Sequence, residues 1–181
     1  MVKTEENNEF SHGLENEILT LEADDLQNIY WYIDASCATH DDFRSHTGAC
    51  LSLGKGMLAC YSNKQKTNSR SSTEAELNVV DDKISKIIWC RQIIESQYFK
   101  INSEVIFQDN QSAIQLENNG IESAGKRTRH FNIKLYYIID LIRRKQTIVK
   151  NCPSQNMIAD FFSKQLAVSN LIRNRNRIMN P

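Results

Sequence analysis

The sequence predicts an α/β domain: a mixed sheet of five strands, the first three consecutive and antiparallel, flanked by helices. Three observations lead there. An aromatic and β-branched run, Asn28 to Ser36 (N-I-Y-W-Y-I-D-A-S), has the composition of a central strand. Two short apolar runs, Gly48 to Leu53 and Met57 to Ser62, flank Gly54-Lys55-Gly56 and read as a hairpin. Beyond Ser72, helical periodicity alternates with short apolar strands, the order of βα units.

Taken in order, residues 1–27 are charged and poorly periodic and read as a polar leader or linker, with the domain expected over 28–166. A polar turn covers Asp41 to Ser45 and a polar loop covers Lys64 to Arg70. Ser72 to Tyr98 carries an apolar stripe of Leu77, Val80, Ile84, Ile87, Ile88, Ile94 and Tyr98, the spacing of one helix face. Val105 to Gln108 follows as a strand, Asn110 to Glu117 as a short helix, and Phe131 to Arg144 as a second long helix. Thr147 to Lys150 is the last strand and Met157 to Gln165 the last helix. Residues 167–181 read as a C-terminal tail, with Arg173, Arg175 and Arg177 on a solvated face. Trp31 and Trp89 fall on apolar patterns and are expected in the core.

Composition narrows the class. A chain of 181 residues, 40% of them hydrophobic, suits a single domain with short tails. With 22 basic and 22 acidic residues the net charge points to no polyanion, so a nucleic acid would have to meet a local patch. Cys37, Cys50, Cys60, Cys90 and Cys152 lie far apart, with no C-x-x-C pair and no His at zinc spacing, and read as reduced thiols in an intracellular protein. No apolar run reaches the ~20 residues of a membrane span, and the polar start is unlike a signal peptide. The expectation is a soluble, cytoplasmic protein.

Three carboxylates fall where apolar structure ends or a helix begins: Asp34 on the first strand, Asp109 after the fourth, and Glu76 in the first turn of the long helix. Asp160 lies in the last helix, off its apolar stripe. Ligand sites of α/β sheets gather at the carboxyl ends of strands. Mg²⁺ needs oxygen ligands brought from separate elements, and two such ions ~4 Å apart can drive phosphodiester hydrolysis. Each acid also has a purely structural reading. Asp34 and Asp109 can be turn formers, Glu76 can close a capping box with Thr73, and Asp160 can pair with Lys164 at i,i+4.

The strings around these acids decide between the readings. Tyr32-Ile33-Asp34-Ala35-Ser36, Ser45-His46-Thr47-Gly48 and Leu53-Gly54-Lys55-Gly56 resemble the opening of ribonuclease H (RNase H) domains of copia-type retrotransposon Pol polyproteins. Ser71-Ser72-Thr73-Glu74-Ala75-Glu76-Leu77 resembles that family's most recognisable segment, and Phe107-Gln108-Asp109-Asn110-Gln111-Ser112-Ala113 its third acidic motif. Arg127-Thr128-Arg129-His130-Phe131-Asn132-Ile133 resembles its basic joint, and Met157-Ile158-Ala159-Asp160 its fourth acidic motif. The matches run in order over Tyr32 to Leu166.

The resemblance implies an RNase H-like fold and four metal-binding catalytic acids at Asp34, Glu76, Asp109 and Asp160. It implies two Mg²⁺ ions, with Mn²⁺ as a substitute, and hydrolysis of the RNA strand of an RNA–DNA hybrid during reverse transcription. A reverse transcriptase domain of the same polyprotein is the implied partner, and a virus-like particle the implied setting if the parent element is active. Beside the acids, Asn110 and Gln111 are expected to face the nucleic acid, and Arg127, Arg129 and His130, within a basic cluster that includes Lys126 and Lys134, to meet its phosphates. Between the neighbours Glu74 and Glu76, which point to opposite sides of a helix, the resemblance chooses Glu76 as the ligand and leaves Glu74 as a cap.

The sequence departs from the family pattern in places. Gln165 stands where Pro often follows the Lys, and Asn151-Cys152-Pro153-Ser154 where a more apolar residue precedes Pro. Ser154, Gln155 and Asn156 occupy the stretch where cellular enzymes of this fold carry a mobile His, which puts fast product release in question but not metal binding. No polymerase sequence precedes the domain in this chain, so it reads as a piece of a polyprotein or as a decayed or repurposed copy. The alternatives are an inactive nucleic-acid-binding remnant, against which four intact acids speak, and an integrase- or resolvase-like nuclease acting on DNA, against which the motif strings speak.

Overall fold

A computed structural model describes residues 18–24, 26–119 and 132–181, with the backbone alone at 132–134. A two-residue strand β1 (Glu22–Ala23) precedes β2 (Asn28–Ser36), β3 (His46–Ser52), β4 (Gly54–Lys55) and β5 (Ala59–Lys64). Then come α1 (Ser72–Ser96), β6 (Ser103–Gln108), α2 (Gln111–Asn119), α3 (Asn132–Arg143) and β7 (Thr147–Asn151). A 3₁₀ turn at Ser154–Asn156 leads to the short α4 (Asp160–Ser163) and to α5 (Val168–Met179). The main sheet has five strands in the order β5-β3-β2-β6-β7, antiparallel from β5 to β2 and parallel from β2 to β7. This is the expected mixed sheet flanked by helices.

The alternation along β2 sorts its residues between two faces. Ile29, Trp31 and Ile33 are buried in the main core with Leu77, Val80, Ile84 and Ile87 of α1, Ile106 of β6, and Leu135 and Ile138 of α3. Tyr32 faces the other way, where its ring stacks on Phe107 at 4.9 Å. That face carries smaller clusters of Cys50, Met57 and Ile158, and of Cys152, Met157 and Ala159. No described helix is long and apolar enough to cross a membrane. All five cysteines are free thiols.

The structure differs from the sequence reading at several points. Trp89 is 57% exposed rather than in the core, with the Lys86 ammonium 5.5 Å from the centre of its ring. It follows buried Ile87 by two residues, about 200° around the helix, and so lies off the buried stripe, at the rim of an open groove between α1 and the β3 and β5 side of the sheet. Tyr98 is also exposed, because α1 ends at Ser96. The expected last helix shrinks to Asp160–Ser163, since Met157 is extended and Lys164 leaves the helix in an extended conformation.

The segments flanking residues 28–166 contribute to the same body. Residues 22–23 pair with Gly54–Lys55, the segment read as a hairpin turn. Gly56 there has φ of +69°, and a Cβ on it would lie 2.5 Å from the Thr20 carbonyl. Residues 167–181 are not a loose tail. The Ile178 carbonyl accepts from the Met57 N–H, the Met179 carbonyl accepts from the Thr20 N–H, and Arg177 donates to the Asn156 carbonyl at 2.8 Å.

Candidate active site

Strand register builds the first half of the site. Tyr32 and Phe107 are partners across the parallel β2–β6 pair, on the face that carries α4. Two residues further along each strand, on the same face by the two-residue period, lie Asp34 and Asp109. Neighbouring strands run about 4.8 Å apart, so this register alone places two carboxylates side by side at the carboxyl end of the sheet.

Close packing of α4 supplies a third acid. Gly48 is the β3 partner of Asp34, and a Cβ on Gly48 would lie 2.5 Å from the Ala159 carbonyl and 2.9 Å from Ser163 Cβ. Only a residue without a side chain lets α4 approach β3 this closely. The approach brings one ligand oxygen each of Asp34, Asp109 and Asp160 within 4.8 Å of one another.

Glu76 arrives from the other face, on α1 just past the first turn in which the sequence reading put it; the first-turn acid is Glu74. Glu76 Oε1 accepts from the Ala35 N–H at 3.1 Å, while its Oε2 is buried without a hydrogen-bond partner among the described residues. Burial first, and the charge of Asp34 second, push its pKa well above the usual glutamate value. Glu74 faces elsewhere. Its N–H donates to Ser71 Oγ at 3.1 Å and its Oε2 accepts from the Arg70 N–H at 2.7 Å, so Glu74 and Ser71 together close the start of α1.

A lysine and two serines complete the cluster. Lys164 Nζ lies 2.8 Å from Asp34 Oδ1 and 2.9 Å from Asp160 Oδ1. Ser163 Oγ donates to the fully buried Asp34, and Ser154 Oγ donates to Asp109 Oδ2 at 3.1 Å. Burial raises the Asp160 pKa to about 6, although the Lys164 hydrogen bond opposes the rise. Burial alone would lower the Lys164 pKa, but Asp34 and then Asp160 outweigh it and hold the ammonium above the ordinary lysine value.

Of the four acids named from the sequence, Asp34, Asp109 and Asp160 thus come together at one end of the sheet, while Glu76 stands near enough to feel the charges of Asp34 and Asp109 but outside that group. Of the expected substrate-side residues, Asn110 is half-buried and its Oδ1 accepts from the Ala113 N–H at 3.1 Å, capping α2. Gln111 is exposed at the start of α2. Arg127, Arg129 and His130 lie outside the described residues. Sequence reasoning missed Ser163, Ser154 and the double role of Lys164. The i,i+4 spacing from Asp160 was a signal for Lys164, but its second partner, Asp34, is 130 residues away.

The architecture is that of the RNase H-like fold, shared with solved RNase H1 structures at sequence identities too low to carry more than the fold. An RNase H1 isolated from compost by a metagenomic approach aligns with a TM-score of 0.54 at 13% identity, over 76% of this chain and 93% of that one. RNase H1 from the archaeon Halobacterium salinarum aligns with a TM-score of 0.51 at 12% identity, over 75% of this chain and 94% of that one. The compost enzyme solved in complex with an RNA/DNA hybrid gives 0.53 at 14% identity, over 75% of this chain and 93% of that one.

In sequence, the relatives are retrovirus-related Pol polyproteins of plant transposons, in agreement with the resemblance carried by the motifs. The polyprotein of transposon TNT 1-94 from Nicotiana tabacum is 27% identical over 134 residues, 74% of this chain. That of transposon RE1 from Arabidopsis thaliana is 29% identical over 157 residues, 86% of this chain. The chain spans only 10% and 11% of the length of these two relatives. No protein-family model matches the chain.

Proposed function

We propose that the domain is a ribonuclease H that hydrolyses the RNA strand of an RNA–DNA hybrid, with divalent metal ions, as a step of retrotransposon reverse transcription. The observation that carries this reading is the convergence of Asp34, Asp109 and Asp160 within 4.8 Å, from two strands and a helix that the sequence holds far apart. The donor set fits a hard cation: every candidate ligand is a carboxylate oxygen, as Mg²⁺ and Mn²⁺ prefer. The buried Glu76 Oε2, which has no partner among the described residues, fits as well, because an orphaned carboxylate oxygen is costly unless something meets it. Asp34, Asp109, Asp160 and Glu76 would hold the ions. When bound, two such ions supply the charge that activates a water and stabilises the leaving oxygen of a phosphodiester.

The chain's own residues do the positioning. The β2–β3 ladder fixes Asp34, and Asp109 is carried at the end of β6, whose ladder with β2 stops two residues earlier. The Ala35 N–H orients Glu76, and Ser154 and Ser163 orient Asp109 and Asp34. Gln111 stands exposed beside Asp109, where it can donate to the backbone or a 2′-hydroxyl, the group that separates RNA from DNA. Arg127, Arg129 and His130 would meet phosphates, and a reverse transcriptase domain of the same polyprotein would help to hold the hybrid. The solved RNase H1 with a hybrid bound, which shares the fold, supports this choice of substrate.

The test is cleavage of a labelled hybrid and of the matching DNA duplex by the purified chain, with Mg²⁺, with Mn²⁺ and with excess chelator. RNA-strand cleavage that needs the metal is the expected result. Cleavage undiminished by chelator, or a preference for duplex DNA, would reject the reading.

A further inference from the structure

The cation that sits among these acids belongs to the chain itself. Lys164 Nζ bridges Asp34 Oδ1 and Asp160 Oδ1 at 2.8 and 2.9 Å, so the ammonium uses oxygens of two of the three converging carboxylates. A divalent ion seated on the same carboxylates would take their oxygens at about 2.1 Å, within a few ångströms of the ammonium, and like charges at such separations repel strongly. The two cations therefore exclude one another. We propose that Lys164 is a tethered counter-cation that competes with the divalent metal for the Asp34–Asp160 seat and sets the metal concentration at which the site fills. This rests on the metal-dependent reading above.

The surroundings allow the exchange. The root of Lys164 is anchored, since its N–H donates to the Asp160 carbonyl at 3.0 Å and the preceding Ser163 is held to Asp34. Its side chain is 37% exposed and lines an open cleft of about 330 Å³ with Thr39, His40 and His46. The ammonium can thus swing out of the seat into the cleft without unpacking the core. It remains beside the site there, where a phosphate of the nucleic-acid backbone can receive it. A compact charge on a flexible stem suits such exchange better than a planar guanidinium, which would grip both carboxylates in a fixed fork. With the ammonium in place the carboxylates have a counter-charge before any metal arrives. Lys164 is on this account a positioning residue, acting through Asp34 and Asp160.

The experiment is Mn²⁺ binding to the full chain, followed by the electron paramagnetic resonance signal of the free ion, with thermal melting alongside. Lys164→Met is expected to bind Mn²⁺ on the order of tenfold more tightly than wild type, the usual scale of coupling between two ligands. The same variant should melt at a lower temperature without metal, with the gap closing as Mn²⁺ is added. Lys164→Arg, which keeps the charge, should show no gain in affinity. Unchanged or weaker Mn²⁺ binding by Lys164→Met, with Asp160→Asn weakening it, overturns the competition but leaves the metal site standing. Equal Mn²⁺ binding by wild type and Asp160→Asn overturns the metal site and the competition together. If Lys164→Met is unfolded without metal, its refolding midpoint in Mn²⁺ gives the affinity. Failure to refold at concentrations that saturate the wild type counts against the proposal.

Discussion

Buried acids occur in two regions of this molecule, and their treatment differs. Glu117 of α2 is fully buried against Gln108 Nε2 at 3.3 Å, and burial pushes its pKa to about 8. Glu104 of β6 is buried near Arg91 and Thr147, and burial, partly opposed by Arg91, leaves its pKa at about 7. Each is a single carboxylate that can meet its burial by keeping a proton. At the carboxyl end of the sheet, Asp34, Asp109 and Asp160 come together with Glu76 close enough to feel their charge, and a positive charge, Lys164, stands between Asp34 and Asp160. Burial alone makes an acid reluctant to ionise; convergence makes a set of oxygens that calls for a cation.

The comparison breaks first at Asp109. Asp109→Asn keeps the shape and removes one charged ligand, so hybrid cleavage should fall by ~10²-fold or more while the melting temperature stays near wild type. Turnover at the wild-type rate would remove Asp109 from the site. Glu117→Gln tests the other region. A folded-state pKa near 8, above the unfolded value of about 4.3, means the folded protein binds more protons between those limits. Stability is therefore expected to fall as pH rises through that window, with a slope from this group of up to about 1.4 kcal/mol per pH unit. An amide also offers a donor to Gln108 Oε1, which has no partner among the described residues. Glu117→Gln should accordingly flatten the decline and leave cleavage intact. Melting curves at pH 5.5 and 8.5 measure it, and an unchanged pH dependence would contradict the buried-acid account.

Gly48→Ala probes the close approach that gathers the acids. A Cβ 2.5 Å from the Ala159 carbonyl must push α4 away from β3. The expected cost is about 1–3 kcal/mol of stability, together with weaker Mn²⁺ binding. Wild-type values for both would mean that α4 can shift without moving Asp160. The smallest effect belongs to Glu74→Gln, which loosens the start of α1. It should cost about 1 kcal/mol or less and leave cleavage within a few-fold, whereas Glu76→Gln should abolish cleavage with little loss of stability. A dead Glu74 variant beside an active Glu76 variant would reverse their roles.

Much of this was legible in the residues. The strand Asn28–Ser36 was predicted with the bounds the structure gives because its aromatic and β-branched composition suits a strand, and α1 was predicted to within two residues of its end because a long run of one period leaves little choice. The acids stood out only through the strings around them, since Asp34 or Asp160 taken singly reads as a turn former or half of an i,i+4 pair. Trp89 was misplaced because an apolar pattern on a helix does not say where the covering sheet stops. Residues 20–24 and 167–181 read as leader and tail because their contacts, Thr20 N–H to Met179 and Met57 N–H to Ile178, join segments more than 100 residues apart and leave no local period.

The sequence by itself determined the order of elements, the alternation that puts Ile33 inward and Asp34 on the opposite face, and the two-residue spacing that turns Glu74 and Glu76 to opposite sides of α1. These follow from periods of two and of 3.6 residues. Which of the two caps the helix was settled by the hydrogen bonds of Ser71 and Glu74. Tertiary structure alone decided that β2 pairs with β6 so that Asp109, just past β6, comes beside Asp34, that Gly48 admits α4, and that Lys164 reaches a carboxylate 130 residues away. Such meetings depend on strand pairing and on the closeness of two packed backbones, and neither leaves a mark at any fixed spacing along the chain.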